Sequence, residues 1–244
     1  MIATTWRLPD APLRSSAVAT KSIALLAGVG LAAAARTGLP VGALYAVKAP
    51  LAFAAMMLLS LGYLQQHHPF ARFGSANQIT TARALLVALL VCLIGEPAVP
   101  ALAASAATAS IVVTLLDGVD GWLARRHRIA SDFGARFDME IDALLILALS
   151  VLAWQFGKAG AWVVICGGLR YLFVVAGAIW PWLRAPLQPS RRRQTICVVQ
   201  IVALTLVVVP FVPPAVSAPL AAIALAALLY SFLVDTLWLW QREA

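Results

Sequence analysis

The chain contains eight apolar stretches, each of which is long enough, or nearly long enough, to cross a lipid bilayer as a helix. Crossing the hydrocarbon core takes about 20 mainly apolar residues. Charged residues make up 11% of the chain, less than half of the usual share in soluble domains, and they cluster between these stretches. The pattern predicts an all-α polytopic membrane protein. The predicted spans are residues 18–35, 41–64, 79–94, 98–116, 143–156, 161–182, 196–212 and 215–240, and we expect the fourth to continue as helix into the Asp117 region.

The formal net charge of +8 comes from short basic runs between the apolar stretches. The positive-inside rule places such runs on the cytoplasmic side, so membrane topology explains the charge and no nucleic-acid partner is expected. With the N-terminus inside, the outward loops receive Arg36 and Lys158, and most other basic residues face inward. We therefore expect an integral protein of a bacterial inner (cell) membrane.

Three basic residues, Lys48, Arg83 and Arg170, fall inside or near the ends of predicted spans. A charge at that depth needs a partner, a snorkelling route or a function. By contrast, His67 and His68 lie in the polar connector that follows the second span. A histidine pair alone lacks the other ligands of a metal site. We therefore predict that both histidines are solvated or face lipid headgroups.

Six of the ten acidic residues lie in one segment, from Asp117 to Asp142. On a helix, Asp117 and Asp120 share a face, and Gly121 leaves that face without a side chain one turn later. Asp138 and Asp142 are four residues apart, so they share a face of the next helix. Two carboxylate pairs on facing helices predict an oxygen-rich site at the cytoplasmic mouth of the bundle.

Oxygen-rich sites suit hard divalent cations such as Mg²⁺ or Mn²⁺. Four carboxylates in one place repel one another unless cations neutralise them. Two ions in such a site are able to clamp a pyrophosphate and polarise its phosphorus. The residues alone therefore predict metal-assisted pyrophosphate chemistry with two Mg²⁺ or Mn²⁺ ions.

The acids stand in a longer pattern with fixed spacing. It reads Asp117-x-x-Asp120-Gly121-x-x-Ala124-Arg125, eight residues, Gly134, three residues, Asp138, three residues, Asp142. This pattern resembles the signature of the CDP-alcohol phosphotransferase family at every fixed position. The resemblance implies a six-helix membrane core that cleaves the pyrophosphate of a CDP-linked lipid or alcohol and releases CMP.

The resemblance also implies roles for individual residues. Asp142 would be the general base on the acceptor hydroxyl, and Arg125 would offset phosphate charge. The implied metal ligands are Asp117, Asp120, Asp138 and Asp142. The implied CDP pocket consists of Asp117, Asp120, Gly121, Ala124, Arg125, Gly134 and Thr80. A homodimer is expected by the same resemblance.

The first two spans carry no chemical motif and precede the polar stretch 65–77. We therefore predict two regions. Residues 1–64 form an N-terminal cytoplasmic tail and an accessory transmembrane hairpin, and residues 65–244 form the six-helix catalytic domain with its site facing the cytoplasm.

Two further elements allow two interpretations each. The run Asn77-x-x-Thr80-x-x-Arg83 resembles the opening of the first core helix of the family, but it also fits a helix cap at Asn77 with a snorkelling Arg83. Similarly, Arg170 and the run from Arg191 to Arg193 fit a pocket for an acceptor phosphate. The alternatives are a structural ion pair for Arg170 and a topological loop for the run. In the first interpretation, the acceptor is glycerol 3-phosphate or another phosphate-bearing alcohol.

Two rival functions remain open at this point. An intramembrane prenyltransferase also binds diphosphate through magnesium and aspartate-rich helices, but its motifs have different spacing and lack the Asp-Gly-x-x-Ala-Arg continuation. The other rival is a non-catalytic transporter or scaffold of the same fold. All four acids are present, which argues against a degenerate site.

Overall fold

The structure, a computed structural model, describes residues 8–127 and 131–243. Within these ranges, the side chains of residues 66, 120, 122, 124–127 and 243 lie outside the description. The described chain forms eight α-helices and two short 3₁₀ helices, without β-strands. The α-helices are α1 (Ala11–Gly38), α2 (Tyr45–His67), α3 (Ser75–Val91), α4 (Pro100–His127), α5 (Asp132–Gln155), α6 (Ile165–Ile179), α7 (Arg191–Val208) and α8 (Pro214–Glu243). The all-α prediction is confirmed, and each predicted span corresponds to one helix.

Five helical segments are long and apolar enough to cross a membrane: Ala11–Gly38, Tyr45–Gln65, Pro100–Val119, Ala161–Ile179 and Pro214–Arg242. They confirm a polytopic membrane protein. Helix α3 is apolar but has only 17 residues. Acidic residues interrupt α5 and three arginines open α7, so the prediction that these helices span remains a prediction.

The chain divides into two compact units, of which the first comprises Met1–Pro97 and Thr108–Ile141. Helices α1, α2 and α3 pack against one another in this unit. Glu96, which follows α3, holds the loop before α2 by binding the Gly42 amide at 2.6 Å and the Lys48 ammonium. Of the partner, snorkelling route or function that Lys48 was expected to need, the structure shows a partner.

The second unit comprises Ala98–Ala107 and Asp142–Ala244. Here α8 packs on α6 and α7, and Gly167 of α6 allows a close approach to α5. A Cβ atom at Gly167 would lie 2.2 Å from the Leu147 Cα. In the loop after α5, the Lys158 ammonium donates hydrogen bonds to the carbonyls of Val209, Pro210 and Val212 at 2.7–3.0 Å.

Candidate active site

Two of the predicted acids meet at one buried arginine in the first unit. Helix α3 carries Arg83, α4 carries Asp117 and α5 carries Asp138. The Arg83 side chain is fully buried, and its Nη1 atom lies 2.7 Å from Asp117 Oδ1 and also binds Asp138 Oδ1. Of the partner, snorkelling route or function that Arg83 was expected to need, the structure shows two partners. The snorkelling interpretation is wrong, because the guanidinium points into the protein.

The two carboxylates are close enough to share a cation. One oxygen of Asp117 and one of Asp138 lie within 4.8 Å of each other. Both side chains remain about one third exposed, at 34% and 37%, so ions can reach them from solvent. Asp138 precedes the apolar part of α5. Burial raises its pKa, the Arg83 charge opposes this rise, and the Asp117 charge adds to it. A metal cation beside the two carboxylates would relieve the repulsion between them that the Arg83 charge leaves.

Asp142 lies one turn beyond Asp138 along α5, in the part of the helix that belongs to the second unit. Residues four apart on one helix share a face, so the spacing of Asp138 and Asp142 along α5 places both on one side of it. In the second unit, the Cys197 thiol of α7 donates a hydrogen bond to Asp142 Oδ2, with a sulfur–oxygen distance of 3.8 Å. The thiol is thus one weak hydrogen-bond partner of the predicted base.

The element that opens α3 lies directly beside these acids. Helix α3 begins at Ser75, so Asn77 lies inside it and the interpretation of Asn77 as the helix cap is wrong. Asn77 and Thr80 are both buried, and each side chain hydrogen-bonds to a backbone carbonyl four residues earlier. Asn77 Oδ1 lies 2.9 Å from the position of a Cβ atom at Gly134. Glycine at position 134 thus permits close packing of α3 and α5.

Part of the predicted CDP pocket cannot be located through its side chains. Asp120, Ala124 and Arg125 lie on α4, but their side chains are outside the described residues. Gly121 also lies on α4, four residues after Asp117. The roles assigned to the pocket residues remain predictions.

A family model for the CDP-alcohol phosphatidyltransferases matches residues 73–234, about two thirds of the chain. The protein belongs to this family. The match includes the signature acids and Arg83 but leaves out α1 and α2. Membership in the family favours the transferase over the intramembrane prenyltransferase.

One curated relative is the CDP-diacylglycerol--glycerol-3-phosphate 3-phosphatidyltransferase of Bacillus subtilis (strain 168). It is 30% identical over 104 residues, which cover 38% of this chain and 54% of the relative. The chain therefore matches about half the length of that protein. No solved structure matches the chain significantly.

The basic residues proposed for an acceptor lie in the second unit of this family member. Arg170 is half-buried on α6, and Arg191 is exposed at the start of α7. Arg192 and Arg193 bind Asp235 Oδ1 of α8, with nitrogen–oxygen distances of 2.5 and 3.3 Å. Asp235 therefore has two basic partners on α7. Whether these arginines bind an acceptor remains a prediction.

Sequence reasoning missed a buried contact beside the acids. His68 was expected to be solvated, but it is only 6% exposed and lies among Phe70, Phe73 and Phe133. Its ring nitrogens bind Ser131 Oγ and the Arg72 carbonyl. The expectation was wrong because it rested on the polar connector alone. Phe70 and Phe73, which lie within the connector, were the available signal.

Proposed function

We propose that this protein transfers a phosphatidyl (substituted phosphate) group from a CDP-linked donor such as CDP-diacylglycerol to an alcohol acceptor and releases CMP. Family membership supports the reaction class. The observation that carries the assignment to these residues is the convergence of Asp117 and Asp138 on Arg83. This contact joins two acids of the signature, on α4 and α5, to an arginine of α3 that lies outside the signature.

The donor set fits divalent metal ions. Asp117 and Asp138 offer carboxylate oxygens, the ligands preferred by Mg²⁺ and Mn²⁺, and their partial exposure gives ions access. Asp120 and Asp142 would complete the set for two ions. When bound, the metals would stabilise the charge that builds up on the phosphate oxygens in the transition state.

Asp142 would act as the general base. An alcohol is a poor nucleophile near neutral pH, so the carboxylate takes the hydroxyl proton as the oxygen attacks the phosphorus. The new phosphorus–oxygen bond forms while the bond to the CMP oxygen breaks, and CMP leaves with that electron pair. The Cys197 thiol, whose sulfur lies 3.8 Å from Oδ2, would add one weak hydrogen bond to this carboxylate.

The acceptor in this proposal is glycerol 3-phosphate or another phosphate-bearing alcohol. The name of the Bacillus relative, a CDP-diacylglycerol--glycerol-3-phosphate 3-phosphatidyltransferase, supports it, as do the arginines at positions 170 and 191–193, which supply positive charge on α6 and α7. We further propose that the protein resides in a bacterial inner membrane as a homodimer, with its site facing the cytoplasm. The basic loops support that orientation.

The first test measures CMP release by the purified protein from CDP-diacylglycerol and glycerol 3-phosphate, with Mg²⁺, with Mn²⁺ and with a chelator. We expect metal-dependent release that requires the acceptor. If no CMP forms with any phosphate-bearing acceptor, the proposed acceptor class is wrong, and if none forms with any alcohol, so is the transfer.

The second test assigns the base. Asp142→Asn should insert and bind CDP-lipid normally but lose at least about 100-fold in transfer rate, because an amide cannot accept the proton. Asp117→Asn should also weaken metal binding. Asp10→Asn, at the start of α1 beside Gln65, is the matched control and should retain full activity. Native turnover by Asp142→Asn would disprove the assignment of the base.

A further inference from the structure

The chain carries two helices, α1 and α2, that lie outside the family match. The connector after α2 folds back so that the His68 ring lies 6.1 Å from the Phe133 ring and 6.5 Å from the Phe73 ring, between centroids. Phe73 and Phe133 are fully or nearly fully buried. We call His68, Phe73, Ser131 and Phe133 the His68 junction, and all four belong to the first unit.

Hydrogen bonds through the junction run in one direction. The Arg72 carbonyl can only accept, so His68 Nε2 carries the proton in their 2.9 Å contact. In the neutral ring, Nδ1 then accepts from the Ser131 hydroxyl at 3.0 Å. Ser131 Oγ in turn accepts from the Gly134 amide at 3.1 Å. Each group thus has a defined donor or acceptor role, which fixes the rotamers of both side chains.

Ser131 is the N-terminal cap of α5. Its hydroxyl binds the amide of the third helical residue, Gly134, and its carbonyl binds the Ala135 amide at 3.0 Å. The same turn packs tightly, since a Cβ atom at Gly134 would lie 2.9 Å from Asn77 Oδ1 and 3.3 Å from Ser131 Oγ. The first turn of α5 is therefore held by His68 from one direction and by α3 from another.

Residues of helix α1 contact Phe73 of the His68 junction. The Lys21 ammonium lies 5.5 Å from the centroid of the Phe73 ring, and the Phe73 amide donates to Ser16 Oγ at 3.3 Å. The Phe133 ring stacks on the Phe137 ring, with 5.6 Å between the centroids. Phe137 directly precedes Asp138 in the chain. Contacts therefore continue from α1 through Phe73 and Phe133 to the turn of α5 that carries Asp138.

We propose that His68 is a positioning residue for the acids on α5 and that the α1–α2 hairpin serves as its support. Through Ser131, His68 fixes the capped first turn of α5, and this turn sets the position of Asp138 against Arg83. The catalytic part of this proposal rests on the proposed function, whereas the contacts of His68 and Ser131 do not depend on that function.

The test combines amide hydrogen exchange with Mn²⁺ titration of the full-length protein in detergent, without substrate. His68→Phe keeps a ring and removes both hydrogen bonds, and Ser131→Ala removes the cap. Ser131→Ala should accelerate exchange in residues 132–138 about fivefold, since a lost cap frees the first turn. His68→Phe should accelerate it by a smaller factor, since the Ser131 hydroxyl stays but loses the ring nitrogen that orients it. Each should also weaken Mn²⁺ binding by up to about tenfold, as the loss of an outer partner does at metal sites.

Two controls separate positioning from general stability. Ser131→Thr keeps the hydroxyl and should behave as the wild type. Glu96→Gln weakens the tie to Gly42 and Lys48 at the other end of α3, so it should lower thermal stability without changing exchange in residues 132–138. The double variant of His68→Phe and Ser131→Ala should exchange no faster than the faster single variant, because both act through one contact.

Unchanged exchange at 132–138 in His68→Phe and Ser131→Ala would overturn the proposal. So would additive effects in the double variant, or unchanged Mn²⁺ affinity in both single variants. Neither measurement needs turnover. A wild-type protein that releases no CMP would therefore disprove the proposed function and leave this result standing.

Discussion

Replacing Arg83 by methionine tests whether its guanidinium is the resident counter-charge of the two acids. Arg83 is fully buried and contacts Asp117 and Asp138 through one nitrogen. Hydrogen bonds to charged groups contribute about 1.5–3 kcal/mol each. Since both carboxylates are about one third exposed, solvent screens them, and we discount the pair to about 2 kcal/mol in total. For a chain of this size, that loss lowers the melting temperature by about 4–8 °C.

The assay is thermal unfolding in detergent, with and without Mn²⁺. Without the guanidinium, the site carries one positive charge less, so the ion meets less repulsion, and Mn²⁺ should raise the melting temperature of Arg83→Met by more than that of the wild type. Arg14→Met, at an exposed position on α1, removes the same charge and should shift melting by no more than about 2 °C. An Arg83→Met protein that melts as the wild type does, or gains no extra stability from Mn²⁺, would refute this account.

Two more predictions use contacts away from the acids. Gly167→Ala should destabilise the second unit by about 3 kcal/mol, because the new Cβ would overlap the backbone of Leu147. A Cβ at Gly168 meets no atom within 4 Å, so Gly168→Ala is the control and should fold normally. Equal melting temperatures of the two variants in thermal unfolding would contradict this prediction. Burial alone would raise the pKa of Glu96, but hydrogen bonds from Lys48 and the Gly42 amide, with the Lys48 charge, outweigh burial and lower it. The stabilisation is therefore complete above the ordinary pKa of about 4.5 and is lost as the pH falls below that value. Between pH 6 and pH 3, the melting temperature of the wild type should fall further than that of Glu96→Gln. If both melting temperatures depend on pH in the same way, the contacts of Glu96 with Lys48 and Gly42 do not stabilise the fold.

Local patterns in the sequence were sufficient to predict which segments form helices. Apolar length predicted all eight, and the spacing of Asp138 and Asp142 predicted their shared face on α5. The ends were less accurate: α1 begins at Ala11 rather than at residue 18, because helix continues beyond the apolar stretch. An apolar count detects the part of a helix that suits lipid, whereas the helix itself ends where its backbone hydrogen bonds end.

For contacts between distant residues, the sequence predicted that a buried charge would be accommodated but not which residue would contact it. A charge at membrane depth requires a partner, which held for Arg83 and Lys48, but the sequence did not name Glu96 as the partner of Lys48. The contact between His68 and Ser131 joins residues 63 positions apart, and no periodic pattern encodes it. Such pairings depend on how helices pack, which spacing along one helix does not determine.

The three carbonyls around Lys158 have a practical consequence for mapping this protein in a membrane. Amine-reactive labels are a common way to find which side of a bilayer a loop faces, and Lys158 is the lysine in the loop after α5. Lys158 is only 7% exposed, and its ammonium already donates three hydrogen bonds, so it should react slowly from either side. An unlabelled Lys158 would therefore carry no information about sidedness, and a reporter residue introduced elsewhere in that loop is the better probe.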